Sequence, residues 1–414
     1  MKRCITNILV KRKIFLFFVS ILFCIGQVYS QEGLPYLTNF QLPGGFSPQN
    51  WSITQDENGM LLFANSRGIL SFDGSSEGWH YLKPAIIPYS IAKDPTTGKI
   101  YVGTEDGFGC LEKDKFGDYD YKPLSGEKEK NLFITRISFS NGKAYFYSEE
   151  SIIIISTFHP EERETIKLSS EDSFSGYFIH DTTLYTNIRN KGLYKYKNGN
   201  LVALQTDPDF SNDIIQFFIP FDSRNILLAT DNSFLYLFDG KTLKDYRISD
   251  EDYLFKARIS DAIQLSGNKI ALSTRTGGCL IIDKNSGKTK FMINYQSGLP
   301  DDEIYTITRD RGDGLWLTHE RGATRIDLTF PIRNFNAFPG LEGNLSEVIR
   351  FKGTLYVSTS EGVFYLRKVK NFSRTRITVE TNKENQPTIS TPKHNLPPAR
   401  AEMIRPVKPE SKPK

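Results

Sequence analysis

A chain rich in aromatics, with a turn signature returning every forty-odd residues and strand-length apolar runs between the turns, predicts an all-β propeller of four-stranded blades. Among 414 residues there are 30 Phe and 20 Tyr, residue types that suit pleated, half-buried strands. Apolar residues at helical spacing are scarce. At ~150 residues per domain the length would suggest two or three domains. Repeat architectures escape that count, because each unit buries its apolar face only against its neighbours.

The signature follows the second strand of each unit. It runs Ala64 to Gly68, Gly103 to Gly107, Tyr147 to Ser151, Asn187 to Gly192, Ala229 to Ser233, Ser273 to Gly277, Thr318 to Gly322 and Ser358 to Gly362. Successive copies end 39 to 45 residues apart, with a mean of 42. Periods of ~40–50 residues with four strands per unit are those of propeller blades. The frequent closing Gly has a steric reason: a tight hairpin needs a residue at positive φ, which Gly adopts without cost. Several third strands, such as Phe234 to Phe238, are apolar on both faces, as expected of sheets covered on each side. Eight units predict eight blades, with a seven-blade ring as the alternative, the eighth unit then starting a second ring. The eighth unit stops after its third strand. Tyr36 to Phe40 resembles the aromatic fourth strands elsewhere and is expected to complete that unit, removing an exposed edge.

Residues 1–30 have the parts of a secretory signal. Lys2, Arg3, Lys11, Arg12 and Lys13 precede the apolar run Ile14 to Ile25, and Ser30 is the small residue before the expected cut. The run is shorter than the ~20 residues of a spanning helix. Cleavage is therefore expected, giving a mature chain that is periplasmic or secreted with no transmembrane segment. The propeller is assigned to 31–366 and a disordered Pro/Lys-rich tail to 367–414, where seven Pro fall between Pro387 and Pro413. Signal and tail carry the positive charge. The body between them holds nine more acidic than basic residues although the whole chain is +4, which argues against a nucleic-acid partner. Cys110 and Cys279 occupy matching positions of distant units, too far apart for a disulfide, and are expected to be buried free thiols.

Local motifs reduce to turns. Gly74 to Gly78 matches the Gly-x-Ser-x-Gly hydrolase pattern, but that motif works on a strand-to-helix elbow and here strands flank it. Arg311-Gly312-Asp313 sits in a hairpin where Gly and Asp are expected in any case. The five His share no metal-ligand spacing, and no nucleophile–base pair is evident. Neither a metal, a cofactor nor a catalytic residue is predicted. Trp51 and Trp316 are expected to pack in the core.

The seventh unit carries a linked pattern: Gly298-Leu299-Pro300-Asp301, then Ile307, Asp310, Leu315-Trp316, Gly322, Arg325 and Asp327. It resembles the regulator propeller repeat of periplasmic sensors in Bacteroidetes-type two-component regulators. The second unit matches through Tyr101 to Gly107 and the first through Asp56, Gly59, Leu61 and Gly68. Leu34 to Phe40 and Phe72 to Ser76 look like the start of sensors that carry a triple-tyrosine domain. Thr318-His319 stands where the family has Gly-Thr, and units three to six keep the spacing but lose most signature residues. In that family a second propeller, the triple-tyrosine domain, a membrane helix and an effector module follow. They are absent from this sequence, so the resemblance implies an N-terminal propeller whose signal needs a membrane-bound sensor or other protein partner.

By propeller symmetry the turns after the second strands share one face. That face is predicted to gather Arg67, Glu105, Asp106, Arg189, Asp231, Arg275, His319, Glu320 and Arg321. Mixed charge of this kind suits an oligosaccharide or other polar small ligand, or a protein. Ordinary solvated turns are the alternative. The functional reading is a ligand-binding sensor-type propeller without covalent chemistry. A protein-interaction scaffold, or a propeller lyase or hydrolase, is the alternative.

Overall fold

The computed structural model describes residues 33–75, 77–82, 86–204, 210, 212–334, 341–368 and 399–403. The expected signal segment and most of the expected tail lie outside them. The described residues form eight antiparallel four-stranded sheets, as the eight repeats predict, and divide into two units, Leu34–Arg333 and a second containing the eighth sheet.

In chain order, β1 is Tyr36–Gln41. The first sheet is β2 Asn50–Gln55, β3 Leu61–Asn65, β4 Gly68–Phe72 and β5 Trp79–Tyr81. The second is β6 Pro88–Lys93, β7 Ile100–Thr104, β8 Gly107–Lys113 and β9 Tyr119–Pro123. The third is β10 Arg136–Ser140, β11 Lys143–Tyr147, β12 Ser151–Ser156 and β13 Arg163–Lys167. The fourth is β14 Phe174–His180, β15 Thr183–Ile188, β16 Gly192–Lys197 and β17 Asn200–Ala203. The fifth is β18 Ile215–Pro220, β19 Ile226–Thr230, β20 Leu235–Phe238 and β21 Leu243–Asp245. A seven-residue helix, α1 Glu251–Ala257, leads to the sixth: β22 Ile259–Leu265, β23 Lys269–Thr274, β24 Cys279–Asp283 and β25 Thr289–Ile293. The seventh is β26 Ile307–Arg309, β27 Leu315–His319 and β28 Gly322–Asp327, completed by β1.

Within Leu34–Arg333 the innermost strand of the seventh sheet returns against that of the first, β26 beside β2. Second strands such as β3, β7, β19 and β27 are buried along their whole length, as stacking on both faces requires. Cys110 and Cys279 lie in these cores as free thiols, and burial pushes both up from the ordinary thiol value.

The closing strand differs from expectation. Tyr36–Gln41 completes the seventh sheet, pairing Tyr36 with Asp327 and Gln41 with Gly322. The unit Leu34–Arg333 therefore matches the seven-blade alternative, with one extra sheet beyond it. The reason lies in side chains. The Phe40 ring stacks on Trp316 at 5.2 Å and meets Phe72 edge-on at 5.1 Å, and Thr324 Oγ1 donates to Asn39 Oδ1 at 2.7 Å.

The eighth sheet holds β29 Leu345–Phe351, β30 Thr354–Thr359, β31 Gly362–Lys368 and β32 Ala399–Met403. Its fourth strand comes from the stretch read as tail and pairs with β31, Leu366 opposite Ala401. Among the described residues no helix is long and apolar enough to cross a membrane.

Candidate functional site

The seventh-unit signature is a structural knot. Asp310 sits in the β26–β27 hairpin. One carboxylate oxygen accepts from Gly314 N–H at 2.7 Å; the other accepts from Trp316 Nε1 at 2.9 Å and Arg325 Nε at 2.7 Å. Arg325 Nη1 donates on to Asp327 at 3.1 Å. The residues that carry the family resemblance thus hold one blade together. Trp316 is buried in the core as expected. The Arg311-Gly312-Asp313 turn also serves the fold, since Arg311 N–H donates to Gln55 Oε1 of the first sheet at 3.0 Å. The 74–78 motif joins β4 to β5 with no helix after it.

Register places the predicted face. The start of each innermost strand lies opposite the end of the second: Asn50 pairs with Asn65, Pro88 with Thr104, Ile215 with Thr230 and Ile259 with Thr274. The turns bearing Arg67, Glu105, Asp106, Asp231 and Arg275 therefore lie at the end where the innermost strands begin. Arg189, Glu320 and Arg321 hold the corresponding turns of the fourth and seventh sheets. All eight are exposed, and among the described residues no ion pair joins any two of them. Several serve the fold: Asp106 accepts from Asn131 N–H at 2.8 Å, tying its turn to the segment entering the third sheet, and Asp231 accepts from Ile214 N–H at 3.0 Å, tying its turn to the segment entering its own sheet.

His319 departs from the predicted face. It is 1% exposed, turned inward beneath its turn. Arg321 N–H donates to Nδ1 at 3.2 Å, which leaves Nε2–H to donate to Thr324 Oγ1 at 2.9 Å. Burial pushes its pKa down to about 4, with Asp301 pulling upward and Arg321 reinforcing the fall. A ring titration followed by NMR is expected to show His319 unprotonated from pH 7.5 to 5. A midpoint near 6.5 would contradict its burial. Because the folded value lies below the unfolded ~6.5, this residue's contribution, roughly 3 kcal/mol, is present above pH 6.5 and fades as pH falls toward 4.

Between the innermost strands of Leu34–Arg333 lies a central channel with a cavity of about 530 Å³. Its wall includes Trp51, Ser52, Arg136, Ser260, Asp261 and Thr306. A bulge near the start of several innermost strands sets these side chains: pairing skips Trp51, Tyr89, Gln216 and Ser260 in their sheets, as bulges do when they re-aim a residue. Hydroxyls beside the bulges link neighbouring blades. Ser52 donates to Ile91 O at 2.9 Å, Ser90 to Ile134 O at 3.0 Å and Ser260 to Ile304 O at 3.0 Å.

Trp51 is not a core residue, contrary to expectation. It is 36% exposed and lies parallel to Tyr89 at 4.4 Å; Tyr89 in turn meets the exposed Phe133 ring at 4.1 Å. An aromatic row thus runs across the first two sheets and into the third at the channel mouth. Tyr305, across the first–seventh seam, has its phenol pushed up to about 12 by burial and by Glu303, Glu320 and Asp301. No sequence pattern marked this collar, because each blade presents a different residue at the bulge.

Asp261 accepts from Thr306 Oγ1 at 2.9 Å, Ile307 N–H at 3.2 Å and Ala262 N–H at 2.8 Å. Burial raises its pKa, opposed by these bonds and by Arg136. The cavity lining contains no His, Cys or Lys. Among the described residues no cluster of three His, Cys, Asp or Glu could hold a metal.

No family model matches the sequence, and no curated protein matches it. Solved structures share the fold. The extracellular domains of two hybrid two-component systems from B. thetaiotaomicron align at 18% identity with a TM-score of 0.58, and at 14% with 0.55. Each alignment covers 80% of this chain but only 48% and 45% of theirs, so the chain spans about half the length of these domains. Virginiamycin B lyase from Staphylococcus aureus aligns at 13% identity and a TM-score of 0.54, over 71% of this chain and 99% of the lyase. The propeller anticipated from the regulator-repeat resemblance is therefore the observed fold.

Proposed function

We propose that this protein is a sensor-type propeller of the cell exterior that binds a saccharide at the channel mouth. The observation that carries the reading is the exposed Trp51–Tyr89 stack, which opens beside a hydroxyl-lined cavity of about 530 Å³. An aromatic face takes the apolar side of a sugar ring, and hydroxyls and carbonyls take its edge. The turns carrying Arg67, Glu105, Asp106, Arg189, Asp231, Arg275, Glu320 and Arg321 surround this end and supply the polar rim. The fold shared with extracellular domains of two-component systems supports a sensing role, with the signal passed to a protein partner.

The fold shared with a lyase raises catalysis as the competing reading. The lining supports binding instead: its one carboxylate, Asp261, is held by three donors, and Ser260 is bonded to Ser273 and to Ile304 O.

The test is calorimetry of the mature chain against a panel of neutral and acidic oligosaccharides. At least one is expected to bind, and Trp51→Ala, at an exposed position, to weaken it by roughly tenfold with little change in melting temperature. Absence of binding across the panel, together with stoichiometric capture of a protein partner, would replace the saccharide reading with the scaffold one.

A further inference from the structure

The geometry points to Arg136 as a carboxylate clamp inside the channel, so that the ligand is a ring-bearing acid whose ring meets Trp51. This deepens the binding reading above and rests on it.

Arg136 opens the innermost strand of the third sheet. Its guanidinium passes the fourth sheet and donates to two carbonyls of the fifth, Ile215 O at 3.4 Å and Gln216 O at 2.5 Å. Close approach of the fourth and fifth sheets depends on Gly176, which carries no side chain. Its φ is +107°, and a Cβ there would lie 2.7 Å from Ile215 O. The guanidinium sits 5.9 Å from the ring centres of both Tyr147 and Tyr177. Those rings are themselves fixed: Tyr147 OH donates to Phe174 O at 3.0 Å, and Tyr177 OH to Ser138 Oγ at 2.8 Å.

The cation is thus positioned but not neutralised. Its partners among the described residues are two carbonyls and two ring faces, with no ion pair within 4 Å. The carbonyls engage two of the five N–H donors of a guanidinium. Asp261, also on the channel wall, contributes a favourable field, yet its oxygens already accept from Thr306, Ile307 and Ala262. A half-buried guanidinium without a carboxylate retains a strong preference for an anion, and a planar carboxylate matches its fork. Trp51 lines the same cavity. One ligand can therefore present a ring to Trp51 and an acid group to Arg136.

The shared chemistry, a carboxylate attached to a ring, could come from a sugar acid or an aromatic acid. Three probes separate them by calorimetry on the mature chain: a galacturonic acid trisaccharide, the neutral galactose trisaccharide, and benzoate. The acidic sugar is expected to bind at least tenfold tighter than the neutral one, and raising salt should weaken only the acid. Arg136→Gln should erase the difference, by a factor of roughly ten to one hundred. Arg136→Lys should retain part of it. Should Arg136→Gln fail to fold, the wild-type acid-to-neutral ratio and its salt dependence decide alone. Equal affinity for both trisaccharides overturns the clamp while leaving saccharide binding intact. Benzoate binding that requires Arg136, with neither sugar bound, keeps the clamp and overturns the saccharide reading. If no probe binds, the clamp is overturned as well.

Discussion

Asp310→Ala is expected to lower the stability of the Leu34–Arg333 unit by about 3 kcal/mol, read as a melting temperature lower by roughly 5 °C. The carboxylate joins three donors from three places: the hairpin N–H of Gly314, the indole N–H of Trp316 and the guanidinium of Arg325. Removing it leaves a buried indole N–H without its partner and an Arg held only by Asp327. Losing one member of such a set costs the desolvation of those left behind, more than the net value of any one bond. Asp310→Asn keeps the shape but not the charge and should fall between wild type and Ala. The pH dependence gives a second measurement. Burial alone would raise the Asp310 pKa, but Arg325, Gly314 and Trp316 outweigh it and hold the carboxyl below its ordinary value. A folded value below the unfolded ~3.9 means the stabilisation is complete above that pH and is lost as pH falls through the folded value. Acid unfolding of the wild type should therefore be steeper than that of Asp310→Asn. Parallel acid curves would show that the pair with Arg325 contributes nothing.

The same knot explains how much of the fold could be read from the sequence. Spacing of turn residues located eight units because each hairpin needs the same backbone geometry, whatever its side chains. The linked Asp310, Trp316, Arg325 and Asp327 stood out because they are bonded to one another, although their role is structural. What closes the ring was not legible. Tyr36 to Phe40 suits the outer edge of either the seventh or the eighth unit, and only contacts distant in sequence, Phe40 with Trp316 and Asn39 with Thr324, decide between them. The strand Ala399–Met403 was hidden by a Pro- and Lys-rich surrounding that reads as polar tail. The turns after the second strands lie at one end of the sheets, but His319 points inward, because a turn position does not say which way a side chain leaves it. The channel collar escaped for a related reason. Bulge positions hold Trp51, Tyr89, Gln216 and Ser260 in different blades, so no shared residue type betrays them. Arg136 looked like an ordinary charged residue at a strand start, because only the folded chain brings it to the Ile215 and Gln216 carbonyls of the fifth sheet.

Ring closure offers the other large effect, and Gly322→Ala should open the seam between the seventh and first sheets. Gly322 has φ +129°, a conformation that strains any other residue, and a Cβ there would lie 2.2 Å from Phe40 O and 2.8 Å from Leu42 N. Both atoms belong to the closing segment, and Leu42 N–H donates to Arg321 O at 2.9 Å. Alanine therefore cannot be accommodated by a rotamer change; β1 must move. Moving it withdraws Phe40 from between Trp316 and Phe72 and bares the β28 edge, an exposed ladder prone to pairing with other chains. Backbone strain alone costs roughly 1–3 kcal/mol, and the lost strand adds to it. Gly68→Ala separates the two. Gly68 occupies the equivalent turn of the first sheet at φ +144°, but its nearest neighbour to a new Cβ is Tyr81 at 3.6 Å, so it reports strain without obstruction. Limited proteolysis should cut residues 34–45 rapidly in Gly322→Ala and slowly in Gly68→Ala, and the former should melt several degrees lower and aggregate on heating. Equal protection of that segment in the two variants would mean that β1 does not fasten the ring.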